Sequence, residues 1–181
     1  GFHMRKARYY VSDTKKNGFK LHPAFIRNGK EKNFIYLSAF EGCAYDTSAN
    51  TYLVNDDDGV VDFAADKLSS IGNAKPISGM TTVLTRANTR KLANNRGLGW
   101  EQAYVATMSL TQLLLTIEYA SMNSQVVIGN GVIGRPSGEG NQSDITGATT
   151  NLGNKSGSVE SGSVSYRGEE NFWGNIYKSI D

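Results

Sequence analysis

Residues 165–177 read Ser-Tyr-Arg-Gly-Glu-Glu-Asn-Phe-Trp-Gly-Asn-Ile-Tyr. Aromatic side chains resume here after a long gap, since none occurs between Tyr119 and Tyr166. The composition predicts a core strand. Trp173 and Tyr177 are an aromatic pair able to anchor packing, and Gly174 lets another backbone come close. Arg167, Asn171 and Asn175 carry the polar groups that satisfy loop carbonyls and amides.

The chain just before this stretch is its opposite. Residues 129–165 hold nine of the twenty glycines and read as loop. Loops longer than about 12–15 residues are uncommon inside a compact domain and are usually functional or disordered. This one departs from core-like sequence and returns to it, the plan of a scaffold that presents a recognition loop. The displayed segment is placed at residues 134–165. Its candidate ligand-binding residues are Arg135, Glu139, Asn141 and Asp144, joined by Tyr166 and Arg167 at the exit. An aromatic face stacks on sugar, and a guanidinium reads carboxylate or phosphate.

Further upstream, two helices are expected. One covers residues 85–95, with Leu84, Ala87 and Leu92 on one side and Gly97 as its stop. The other covers residues 100–122. Leu110, Leu113, Leu114 and Ile117 form one apolar face and Tyr104, Met108 and Leu115 another, so it reads as the central core helix. Gln112 and Glu118 within it are expected to be buried and satisfied by nearby backbone. Towards the N-terminus, Asn28-Gly29 lies between apolar runs and signals a hairpin, with Phe34-Ile35-Tyr36-Leu37 as the returning strand. Phe19-Lys20-Leu21 alternates as a strand does, and His22-Pro23 reads as extended. Residues 1–18 form a basic tail or linker that includes an expression scar at Gly1-Phe2-His3-Met4, and residues 19–181 form the domain.

Several functions are excluded or disfavoured. The single cysteine, Cys43, allows no intrachain disulfide and no cysteine-rich zinc site. Two histidines, one of them in the scar, leave only His22, which argues against His-based triads and multi-histidine metal sites. No apolar run approaches the roughly 20 residues of a membrane helix, so no membrane insertion is expected. Gly129-Asn130-Gly131-Val132-Ile133-Gly134 matches G-x-G-x-x-G, and Val126-Val127-Ile128 before it has strand composition. Arg135-Pro136 follows instead of a helix, so the glycines read as loop and no cofactor is expected. Asp56-Asp57-Asp58-Gly59 lacks the flanking ligands of an EF-hand and reads as a solvated turn.

The net charge of +2 is unevenly spread. Residues 1–32 carry nine Lys or Arg against Asp13 and Glu31, a net of +7, which leaves −5 on the remainder. No compact arginine cluster or reading helix accompanies the basic front, so no nucleic-acid partner is expected.

A family resemblance runs along residues 20–181. His22-Pro23-Ala24-Phe25 with residues 34–41 resembles the opening strands of phage tail and adhesin domains of C-type-lectin-like fold. These are related in fold to the formylglycine-generating enzyme (sulfatase-modifying factor) family. Arg96-Gly97-Leu98-Gly99-Trp100, residues 114–125 and Ile128-Gly129-Asn130-Gly131 resemble the middle of such domains. The stretch 165–177 is similar to their Y-R-G-x-E-N-x-W-G-N signature. The enzymatic relatives use a cysteine pair, which this chain lacks, so their activity is not implied. Relatives usually continue past the Trp-Gly-Asn motif, whereas this sequence stops at Asp181, so either the chain is cut short or the final strands are missing.

The fold class expected is α+β, a C-type-lectin-like domain with two helices packed on small twisted antiparallel sheets and a long Gly/Ser-rich loop. The function implied is a non-enzymatic receptor-binding module, or adhesin, of a bacteriophage tail or bacterial surface. It would be extracellular or virion-borne, recognise host glycan or protein, sit beside other virion subunits and assemble as a homo-oligomer. The alternative is a structural tail or baseplate protein whose loop packs on a neighbour. A third reading, a glycan-cleaving enzyme, would need two converging carboxyls. Its candidate acids are Glu118, Glu139, Asp144, Glu160, Glu169 and Glu170.

Overall fold

Asn28 and Gly29 both adopt positive φ, 51° and 72°, the pair of left-handed residues that a two-residue antiparallel turn requires. They join β1 (Ile26–Arg27) to β2 (Lys30–Glu31), with Arg27 opposite Lys30. The structure, a computed structural model, describes residues 9–54, 60–78, 83–134, 143–152, 155–157 and 161–181. The returning strand is therefore Lys30–Glu31 and not residues 34–37. The tight turn fixes pairing at once, and the ladder ends before Phe34 and Tyr36, which are 76% and 94% exposed. Residues 19–21 form no strand either, and Pro23–Phe25 is a 3-10 turn. His22 caps that turn, its Nδ1 accepting from the Ala24 amide at 3.2 Å.

The second sheet is built on β3 (Cys43–Asp46), flanked by β4 (Thr51–Leu53) and β5 (Lys67–Ser69) in the order β4-β3-β5, all antiparallel. Helix α1 (Arg86–Asn94) packs beside β5. Thr85 starts it by accepting from the Asn88 amide at 3.2 Å, a side-chain cap for an otherwise orphan donor. Its buried face is Thr89, Leu92 and Ala93, while Ala87 is exposed. The apolar stripe is thus set by the helical spacing 89, 92, 93 rather than by Ala87. Ala44, Val61 and Leu92 are buried together, with Leu53, Phe63, Leu68 and Ile77 against them. Cys43 is buried and free, and burial pushes its thiol up to about 11.

A second core lies under α2 (Val105–Tyr119), α3 (Ser124–Val127) and a third sheet. That sheet comprises β6 (Lys155–Ser156), β7 (Ser165–Tyr166) and β8 (Glu169–Glu170), ordered β6-β7-β8 and antiparallel. Leu115, Ile128, Val164 and Tyr166 are buried here, with Leu114, Tyr119, Val127 and Trp173 packed around them.

Helix α2 is shorter than the sequence suggests. Gly97 and Gly99 hold positive φ and Tyr104 is extended, so the helix starts at Val105. It stops where Ala120 turns left-handed, at φ 49°. Only Thr107, Thr111 and Leu115 are buried, spaced four apart on one stripe. Leu110, Leu113, Leu114 and Ile117 are half-buried, so α2 lies on the flank of the body and not at its centre. Gln112 and Glu118 are exposed, contrary to the buried placement expected for them. Residues 126–128 are the end and cap of α3, not a strand, with Asn123 Oδ1 accepting from the Val126 amide at 3.1 Å.

The architecture is α+β, with three helices and small antiparallel sheets among the described residues. The long glycine-rich interval is not one free loop. β6 pairs with β7, and Ser143, Thr146 and Thr149 are buried. Thr146 explains part of this: its backbone joins Asn73 and Ala74 at 2.8 and 2.9 Å, and its Oγ1 donates to Ala74 O at 2.8 Å. No helix among the described residues is long and apolar enough to cross a membrane.

Candidate functional site

The stretch 165–177 is a hub. β7 and β8 form its first part, joined by Arg167 and Gly168, both at positive φ. Residues 171–176 then run as a series of bends rather than a core strand.

At the first end, Tyr166 is 1% exposed and edge-on to Tyr119. Its Oη donates to Glu118 Oε2 at 2.8 Å. Arg167 donates to the same oxygen through Nε and Nη2, at 3.1 and 2.9 Å. The bonds from Tyr166 and Arg167 hold the Glu118 carboxyl below its ordinary range. Burial and the bond to Glu118 push the Tyr166 phenol up to about 12. The Tyr166 ring is therefore core, with no face left for a sugar, and the Arg167 guanidinium already serves a carboxylate. The Arg167–Glu118 pair is half exposed, so its worth is that of a surface ion pair. Arg167→Gln is expected to lower stability by no more than about 1 kcal/mol in chemical denaturation.

At the other end, Asn175 clamps a loop base. Its backbone amide donates to Val132 O at 2.9 Å. Its side-chain Oδ1 accepts from the Asp144 amide at 2.7 Å, and Nδ2 donates to Asp144 O at 3.3 Å. One residue thus pins both ends of the segment between Val132 and Asp144. Nδ2 also donates to Glu41, as do Asn171 Nδ2 and Lys178 Nζ. The Glu41 side chain is 6% exposed, and these three donors are what allow a carboxyl to sit there. Asn171 is fully buried and binds Val164 on both sides, its amide donating to Val164 O at 2.7 Å and its Oδ1 accepting from Val164 N at 3.3 Å.

Between the two ends, Trp173 Nε1 donates to Gly129 O at 3.1 Å. A side chain at Gly131 would lie 2.9 Å from Trp173 Cδ1. Two glycines of the G-x-G-x-x-G match therefore meet the indole, a packing role. The expected aromatic pair does not form, because Tyr177 is fully exposed.

The neighbouring carboxylates are anchors. Glu170 is buried and accepts from the Gly147 amide (2.6 Å), the Thr149 amide (2.7 Å) and Thr149 Oγ1 (2.6 Å). Glu169 accepts from Thr111 Oγ1 on α2 at 2.6 Å.

Burial raises the carboxyls of both Glu41 and Glu169 above their ordinary 4.5. The folded state then binds a proton more readily than the unfolded state does. Stability from these two groups is highest below pH 4.5 and falls as pH rises from there through their folded values. The carboxyls of Asp46, Glu118 and Asp181, which keep contact with solvent, are lowered and act in the opposite sense, losing stability as pH falls below the ordinary range. Solvent screens those groups. Glu169→Gln, which keeps an acceptor for Thr111, is expected to flatten the decline above pH 4.5 when unfolding is followed as a function of pH. An unchanged slope would remove Glu169 as its source.

The sequence candidates divide accordingly. Asp144 sits on the Asn175 clamp, and Tyr166 and Arg167 sit with Glu118 at the other end of the hub. Arg135, Glu139 and Asn141 lie outside the described residues, as do Glu160 and the Asp56-Asp57-Asp58 turn. Glu41 and Lys178 are participants that no sequence motif singles out. No group of three His, Cys, Asp or Glu able to hold a metal ion occurs among the described residues.

No protein-family model, curated protein or solved structure matches the chain.

Proposed function

We propose that this chain is a receptor-binding module of a bacteriophage tail or bacterial surface, a C-type-lectin-like adhesin that recognises host glycan or protein. Recognition falls to the segment between Ile133 and Ser143. The observation that supports this reading is the Asn175 clamp, which ties Val132 and Asp144 to one side chain that is itself bonded to Glu41. A fixed base under an intervening stretch bearing Arg135, Glu139 and Asn141 is how scaffolds present binding residues. Pre-organising the ends lowers the ordering cost of binding. Asp144 belongs to the base and Tyr166 is core, while Arg167 stands exposed beside Glu118 at the other end of the hub.

The test replaces residues 135–142 by a Gly-Ser stretch of equal length, which leaves both clamped ends in place. Saturable binding to bacterial cells or their extracted surface glycans should be lost in the variant while its unfolding transition is unchanged. Equal binding by both forms would move recognition elsewhere on the molecule. Absence of binding by both folded forms, across a panel of hosts, would favour a structural tail or baseplate role.

A further inference from the structure

Glu41 is a buried titratable group placed where two parts of the fold meet. Its backbone belongs to the lead into β3 and is held on both sides. The Phe40 amide donates to Ser70 Oγ at 3.0 Å and Phe40 O accepts from it at 2.9 Å, while Gly42 O accepts from the Ile77 amide at 2.8 Å. The Glu41 side chain, 6% exposed, reaches across to the C-terminal stretch. Oε2 accepts from Asn171 Nδ2 at 3.3 Å and from Asn175 Nδ2, and Oε1 accepts from Lys178 Nζ. Both oxygens are thus committed to donors from the other side of the joint.

This arrangement suits the ionised form alone. A carboxylate only accepts, whereas the acid carries an O–H that is itself a donor. A proton on Oε1 opposes the Lys178 ammonium, and a proton on Oε2 opposes two amide N–H groups. One set gives way in either case, and the bonds that remain lose their charge assistance, about half of their strength. Lys178 has water to turn to, its side chain being 26% exposed. Asn175 cannot move alone, because the same planar amide holds Asp144 through Oδ1 and Nδ2. A disturbance at Nδ2 therefore passes directly to the Asp144 amide. Other charged groups stand close by. The Lys178 charge also reaches Glu169, whose carboxyl accepts from Thr111 on α2. Glu170 accepts from Gly147 and Thr149, and Asp144 carries a carboxyl at the loop base itself. Burial outweighs Lys178 and the hydrogen bonds and raises the Glu41 carboxyl above 4.5, so the folded chain takes up this proton more readily than the unfolded chain does.

We propose that the joint between Glu41 and Asn175 is an acid-sensitive latch, in which protonation of Glu41 releases Lys178 and loosens the Asn175 hold on Asp144 while the chain stays folded. The charge change is local, and the element it biases is the Asn175 side chain with its two positions, bonded to Glu41 and released from it. The inference is independent of the receptor-binding reading, because it uses none of residues 133–143.

Amide exchange of the full chain, with intrinsic rates divided out, tests this at neutral pH and at pH 4.5, where the raised Glu41 carboxyl is more than half protonated. Protection at the Asp144 amide should fall about tenfold at the lower pH, as for the loss of one hydrogen bond. Leu92, in the other core, should keep its protection. Glu41→Gln, neutral and of the same shape, should show the low-pH protection at both pH values. Lys178→Met should move the midpoint of the change upward, because the lysine charge holds the Glu41 carboxyl down. Glu169→Gln should leave the change in place. Equal protection at Asp144 at both pH values overturns the proposal. So does a Glu41→Gln chain that still responds to pH, or a Glu169→Gln chain that does not. If Glu41→Gln does not fold, the Asn175 side-chain amide resonances of the parent and of Glu169→Gln decide. Both should titrate with a midpoint above pH 4.5, and a midpoint at or below it, or no titration, overturns the latch.

Discussion

Glu170→Ala is expected to lower the unfolding free energy by about 3–5 kcal/mol, because three buried hydrogen bonds to one carboxylate are lost together and bonds of that kind are worth about 1.5–3 kcal/mol each before relaxation. The carboxylate serves three donors, the Gly147 and Thr149 amides and Thr149 Oγ1, and the truncation leaves all three without an acceptor. Thr149 is 6% exposed, so water cannot easily replace the lost bonds, and each unsatisfied buried group costs about 1–3 kcal/mol. In a chain of 181 residues, a loss of this size corresponds to a fall in Tm of about 10 °C. The damage should be local first. Amide exchange at Gly147 and Thr149 should accelerate well beyond that at Leu92, whose core contains no part of this network. Glu170→Gln should fall between the two, because one amide oxygen still accepts while the amide nitrogen opposes a donor. A loss under about 1 kcal/mol for Glu170→Ala would mean that water satisfies those donors.

The parts of the fold that were legible in the sequence are those decided by local chemistry. The Asn28-Gly29 turn was readable because only a few residues tolerate two successive positive φ values. Helix α1 was readable in its extent, expected over residues 85–95 and found at Arg86–Asn94, with Gly97 beyond its end. What local chemistry does not decide came out differently. Phe34–Leu37 has the composition of a strand, but a strand needs a partner, and the tight turn had already committed the pairing to Lys30 and Glu31. The apolar faces of α2 suggested a central helix. Its buried stripe instead runs through two threonines, one of which, Thr111, is buried because Glu169 accepts its hydroxyl.

The candidate site was legible in the same partial way. Asn171 and Asn175 do satisfy loop backbone, as their residue type suggested. Arg167 instead answers Glu118, which lies 49 positions away. Glu41 meets Asn171 and Asn175 at separations of 130 and 134, and no pattern read along the chain reports such a meeting. The buried segment around Thr146 has the look of displayed loop for a related reason. Its glycine, serine and threonine composition is that of solvated chain, and only its pairing with Asn73, Ala74 and Glu170 places it inside.

Gly174→Ala carries the second large effect, about 2–5 kcal/mol, and it arises from two separable causes. The residue sits at φ +82°, where an L side chain costs about 1–2 kcal/mol. The added Cβ would also lie 2.8 Å from Val132 N and 2.9 Å from Val132 O. Neither atom belongs to a flexible side chain, so backbone must move, and overpacking of this kind costs about 1–3 kcal/mol. Val132 is held by the Asn175 amide, and the adjoining Gly131 lies under Trp173, so displacement at this point loosens the loop clamp and the indole packing together. Gly134→Ala separates the causes. Gly134 has a similar φ of +73°, but none of the described residues lies within 4 Å of the place its new Cβ would take, so the conformational cost of about 1–2 kcal/mol is the one that applies there. Denaturant unfolding of the two variants should therefore differ by about 1–3 kcal/mol. Equal losses would mean that the chain around Val132 yields freely, and the clamp would then be no rigid base for the segment that follows it.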